Sequence, residues 1–67
     1  MKFEVIVKGK RRQEDIYAST PEMAYRRICC FYMPETPITI RNIETNEETT
    51  FTRRLDNAGN LLEVIRH

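Results

Sequence analysis

From Lys2 to Lys8 apolar and polar residues alternate: Phe3, Val5 and Val7 fall on one face of an extended segment and Lys2, Glu4 and Lys8 on the other. Ile6 is the one apolar residue out of phase, and the segment predicts a strand. Gly9-Lys10-Arg11-Arg12 interrupts the pattern. Gln13 to Ala18 resumes it, with Ile16 and Ala18 on one face and Tyr17 on the other, so the two segments predict a hairpin with a basic tip.

The period changes at Ser19-Thr20-Pro21-Glu22. Proline suits a first helical turn, Ser19 or Thr20 can cap it, and Glu22 complements the positive end of the helix dipole. Ser19 and Glu22 also have capping-box spacing. Ala24, Ile28 and Phe31 then recur at spacings of four and three, with Glu22 and Arg26 opposite, which predicts a helix from Pro21 to Tyr32 that Pro34 ends.

Beyond Pro37, Ile38-Thr39-Ile40 alternates as a short strand, and the phase slips at Arg41-Asn42 before Ile43, which predicts a bulge or the strand's end. Thr45 to Glu48 reads as a polar turn. Thr49 to Leu55 alternates again, with Phe51, Arg53 and Leu55 on one face and Thr50, Thr52 and Arg54 on the other. After the turn Asp56 to Asn60, the β-branched pair Val64-Ile65 favours a last strand over Leu61 to Ile65. The order β-β-α-β-β-β predicts one α+β domain over residues 1–67, with a single helix packed on one face of an antiparallel sheet. The other face is expected to stay partly open, with Tyr17, Ile6, Ile43 and either Leu61 or Ile65 as candidates for an apolar patch there.

Composition narrows the class. With 40% hydrophobic and 31% charged residues the chain resembles a folded domain more than a disordered one, and 67 residues leave room for one core. A domain this small gains from burying more surface, so a homodimer or a bound partner would suit it. The net charge of +1 excludes a uniformly basic nucleic-acid footprint. Arginine nevertheless comes in adjacent pairs at Arg11-Arg12, Arg26-Arg27 and Arg53-Arg54. Arginine favours bidentate contact with carboxylate or phosphate, so Lys10, Arg11, Arg12, Arg53 and Arg54 are the candidate binding residues, with Tyr17 as an aromatic anchor.

Catalytic chemistry finds little support. The one histidine, His67, lies at a chain end where fraying opposes the positioning that acid–base work needs. Cys29 and Cys30 are neighbours, too close to staple distant segments and too few to hold zinc, and nothing nearby activates either as a nucleophile. Glu44, Glu47, Glu48 and Asp56 read as solvated turn carboxylates, and the isolated Gly9 and Gly59 make no phosphate loop. No enzyme activity, metal or cofactor is expected. Charges inside the first apolar run argue against a signal peptide, and no run is long enough to span a membrane, so the cytoplasm is the expected compartment.

Two function classes stay open. A protein-binding module needs only an exposed edge or an Arg-bearing tip. A small DNA- or RNA-binding protein would add stacking rings, for which Tyr17, Tyr25, Tyr32 and Phe51 are the candidates, although Glu14, Asp15, Glu47 and Glu48 weaken the field around the basic residues.

The opening Lys2-Phe3-Glu4-Val5, the hairpin, and Ala18-Ser19-Thr20-Pro21-Glu22-Met23-Ala24 entering a helix resemble short phage- and plasmid-encoded accessory proteins of the DpnD/PcfM-like type. More distantly, they resemble the archaeal ribosomal protein LX domain. The likeness covers the first third to half of the chain, and the Thr49 to His67 meander departs from both families. It implies a fold type and carries over no functional residue. For a mobile-element protein it implies an accessory or inhibitory role exerted by surface complementarity.

Overall fold

The alternating segments become one antiparallel sheet of five strands in a computed structural model that describes residues 1–67. Strand β1 covers Lys2–Val7, β2 Lys10–Tyr17, β3 Ile38–Asn42, β4 Glu48–Leu55 and β5 Leu61–Arg66; helix α1 covers Pro21–Ile28. The spatial order is β2-β1-β3-β4-β5, so β1 and β3 pair directly while the helical segment crosses between them. This is the predicted α+β fold with the predicted order of elements.

One face of the sheet carries the helix. Phe3, Val5, Val7, Ile38, Ile40 and Phe51 line that face and close over Ala24, Tyr25 and Ile28 of α1, with Ala18 at the edge. Tyr25 stacks on Phe51 with ring centroids 5.0 Å apart. Offset stacking of this kind adds to the area both rings bury.

Helix α1 begins as its sequence predicts. Thr20 is the N-cap, its Oγ1 accepting from the Met23 N–H at 3.2 Å, and Pro21 occupies the first turn. The Ser19–Glu22 capping box does not form, since Glu22 accepts instead from Arg26 one turn on. The helix is also shorter than its stripe predicts: after Ile28 the backbone tightens into a 3₁₀ turn over Cys29–Phe31. Ile28 itself departs from helical backbone (φ −119°), so the chain beyond it leaves the line of α1 and Phe31 is 70% exposed, while within α1 Tyr25 is buried beside Ala24 and Ile28.

Of the two alternatives predicted at Arg41-Asn42, the strand's end is the one that forms: β3 pairs with β1 in unbroken register from Phe3↔Asn42 to Val7↔Ile38, without a bulge, and ends at Asn42. Asn42 ends it by turning its Oδ1 to accept the Glu44 and Thr45 N–H groups. The bulges lie in the edge strands. In β2 the partners step from Ile16 opposite Phe3 to Gln13 opposite Val5, then to Arg11 opposite Ile6, leaving two extra-residue bulges. In β5 the shift falls between Leu55↔Leu61 and Arg54↔Glu63, so Leu62 is the extra residue.

Candidate functional site

Two residues build the hairpin tip. Lys8 (φ 53°) and Gly9 (φ 78°) both hold left-handed backbone between the paired Val7 and Lys10. Two left-handed residues in a two-residue loop are the type I′ turn, whose twist matches that of the strands it joins, and glycine takes such a φ without strain. The tip is thus a tight turn, with Lys8, Lys10 and Arg12 exposed on it.

Pairing separates the cations into two groups. Lys2 meets Asp15 at 3.0 Å, Arg26 meets Glu22 at 3.1 Å, and Arg54 meets Glu63 at 2.9 Å. Arg11 reaches Glu4 and Glu14, and Arg41 reaches Glu4 from the other side. Arg27 donates to the Tyr17 carbonyl and Arg53 to the Tyr32 carbonyl. Lys8, Lys10, Arg12 and Arg66 have no carboxylate partner, and three of these four lie within one hairpin tip.

The sequence-chosen binding residues therefore fall into different settings. Lys10, Arg11, Arg12 and Tyr17 all lie on β2, an edge strand, but Tyr17 is at its far end, so roughly 20 Å of extended chain separates it from the tip. Arg11 is tied into ion pairs, whereas Lys10 and Arg12 are free. Arg53 is half-buried on the helix face, where it holds the segment after α1: it donates to Tyr32 at 2.7 Å and its own carbonyl accepts from Glu35 N–H. Arg54 is on the opposite face beside Glu63. The Arg53-Arg54 pair is split by the pleat, as neighbours in any strand are, and does not act as one patch.

Register places the far ends of both hairpins at one end of the sheet. Lys10, Val7, Ile38, Phe51 and Arg66 form one continuous row across it, and both the Lys8-Gly9 turn and Arg54 lie beyond that row on the same side. Three strand spacings, about 14 Å, separate β2 from β4 there.

Glu4 lies on the face of β1 away from the helix, as the alternation predicts, yet it is only 3% exposed, between Arg11 and Arg41. Two guanidinium groups compensate the desolvation that a lone buried carboxylate would suffer. The cluster also breaks up the expected apolar patch. Ile6 and Ile65 do lie on the open face, but Thr39, Thr50 and Thr52 stand between them, with Thr39 and Thr50 hydroxyls 2.9 Å apart.

Two of the four candidate stacking rings cannot meet a base, because Tyr25 and Phe51 are buried against each other in the core. Burial pushes the Tyr25 phenol above its ordinary 10.0, with Cys29 adding to the rise and Arg53 opposing it, and its hydroxyl has no hydrogen-bond partner. Tyr17 stays 61% exposed.

Cys29 and Cys30 are free thiols, Cys29 half-buried and Cys30 exposed. His67 is held more firmly than a frayed end would be: its N–H donates to the Thr50 carbonyl and its Nε2 lies 2.9 Å from Thr52 Oγ1. No three His, Cys, Asp or Glu side chains are close enough together to hold a metal ion. The single cleft, about 380 Å³, lies near the start of α1 between Met1, Pro21, Asn42, Glu47, Thr49 and Arg66. No helix is long and apolar enough to cross a membrane.

Comparison with known proteins adds no relative: no protein-family model, curated protein or solved structure matches the chain.

Proposed function

We propose that the chain is a non-enzymatic protein-binding module that presents the β1–β2 hairpin tip to an acidic surface of another protein. The observation that carries this reading is the concentration of unneutralised charge: Lys8, Lys10 and Arg12 project from one tight turn without a carboxylate partner, while most other cations are paired or tied to a carbonyl. A turn of fixed backbone loses little further freedom when it docks, so contacts made by its side chains are weakened less by ordering. Arg11, clamped to Glu4, holds the base of the tip in place. Tyr17, farther along the same edge, is the aromatic group available to extend the contact. An accessory or inhibitory protein from a phage or plasmid, working in the cytoplasm by surface complementarity, fits a domain with these means and no catalytic constellation.

A nucleic-acid target would engage the same tip through phosphates, but two of its stacking rings are buried and Arg11 and Arg54 are already paired. The experiment that decides is capture from a lysate by immobilised wild-type chain and by a K8A/K10A/R12A variant, with and without nuclease. The expected result is a protein retained by the wild type alone, released by salt and indifferent to nuclease. Retention by both chains would remove the tip from the reading, and nuclease-sensitive retention would make the target nucleic acid.

A further inference from the structure

The two edges of the sheet are not equivalent as templates for another strand. Bulges at Arg12 and at Glu14–Asp15 interrupt β2, where Asp15 holds a left-handed φ of 59°, and charged residues fill most of the strand. Bulges and charge are the usual means by which a sheet edge is closed to further pairing. Strand β5 is regular from Glu63 to Arg66 and contains no proline, and α1 packs over β3 and β4, leaving β5 uncovered.

The hydrogen-bond phase shows which groups face outward. His67 N–H donates to the Thr50 carbonyl while Phe51 and Arg66 stand opposite each other. In an antiparallel pair, bonded and non-bonded positions alternate, so Glu63, Ile65 and His67 turn their backbone groups toward β4. Val64 and Arg66 therefore present their N–H and C=O groups at the free edge.

We propose that a second copy of this chain pairs with β5 antiparallel to itself, about a two-fold axis through Ile65 and perpendicular to the sheet, giving one continuous ten-stranded sheet. In this register Val64 of each copy exchanges two hydrogen bonds with Arg66 of the other, so all the free groups of the regular segment are used and the Leu62 bulge lies outside it. Ile65 meets its own counterpart on the open face. Glu63 falls opposite His67 of the second copy, and no like charges stand directly opposed across the seam. On the helix face the aliphatic stem of Arg66 covers the half-buried Val64 of the second copy. Because β2 is closed, β5 of one copy has no β2 edge to join in the next, so the contact closes at two chains rather than growing into a filament. This proposal is independent of the reading of the β1–β2 tip.

Sedimentation of the wild-type chain up to about 1 mM, where contacts of a few hydrogen bonds become populated, should show a concentration-dependent species of twice the chain's 8.0 kDa mass. The register is tested by disulfide trapping in a Cys29→Ala/Cys30→Ala background. Ile65→Cys should cross-link readily under mild oxidation, because a non-hydrogen-bonded pair brings its Cα atoms to about 4.5 Å, within disulfide reach. Val64→Cys, offset from its own counterpart, should cross-link much more slowly. Arg66→Pro removes an outward donor without touching the ladder to β4 and should leave a folded monomer; if that variant fails to fold, Ile65→Lys, which sets two cations on the axis, replaces it. A wild type that stays monomeric throughout, cross-linking of Ile65→Cys no faster than Val64→Cys, or a folded edge variant that still dimerises overturns the proposal.

Discussion

The edges β2 and β5 end the same sheet and differ in nearly every respect that governs contact. Strand β2 is irregular, charged and anchored from beneath: Arg11 reaches down to the buried Glu4, and Asp15 clasps Lys2. Strand β5 is nearly regular, carries Leu61, Leu62, Val64 and Ile65, and leaves its backbone groups open. In the roles proposed for them, β2 would recognise a partner through side chains and β5 through backbone. The two proposed contacts lie on opposite edges of one small sheet and so need not compete.

The largest expected effect tests whether β2 depends on its anchor. Glu4→Ala leaves Arg11 and the half-buried Arg41 without their shared carboxylate and should destabilise the fold by about 2 kcal/mol in urea unfolding, less than a fully buried pair would lose because both arginines reach solvent. The matching change on the other edge, Val64→Ala, removes two half-buried methyl groups and should lower stability by about 1 kcal/mol. If β5 proves the more sensitive edge, the contrast in anchoring is wrong.

The core between the edges supplies the next test. Tyr25→Phe deletes a buried hydroxyl that has no partner, so stability should hold or rise by up to about 1 kcal/mol; a loss of that size would mean the hydroxyl is bonded. The same residue sets an alkaline limit. A tyrosine whose folded pKa lies above its unfolded value contributes stability below about pH 10 that is lost as pH rises through the folded value. Lys2, raised above its ordinary 10.5 first by its hydrogen bond and then by its attraction to Asp15, acts in the same direction. Unfolding midpoints should therefore fall as pH rises above about 10, and Tyr25→Phe should flatten that fall. The smallest expected effect on stability belongs to K8A/K10A/R12A: three exposed, unpaired cations should change it by less than about 0.5 kcal/mol.

Much of this was legible in the residues themselves. The period-two runs marked the strands, and Thr20-Pro21 marked the helix start. Alternation could not reveal the β2 bulges, because an inserted residue in a polar edge strand disturbs no apolar pattern. Alternation gave the face of Glu4 but not its burial, which depends on Arg11 and Arg41 arriving from two other strands. Tyr25 was hidden because the stripe through Ala24, Ile28 and Phe31 passed beside it, and Phe31 left that stripe because the chain departs from the helix at Ile28. At the candidate site the basic tip was visible in the sequence, but only the pairing of charges separated the free Lys8, Lys10 and Arg12 from Arg11, Arg53 and Arg54.

Division of labour between the edges is tested most directly by one capture experiment run with three chains: wild type, K8A/K10A/R12A and Ile65→Lys. We expect the β5 variant to retain the same salt-sensitive protein as the wild type while the tip variant, equally folded, loses it. Loss of that protein by the β5 variant with retention by the tip variant would contradict this division.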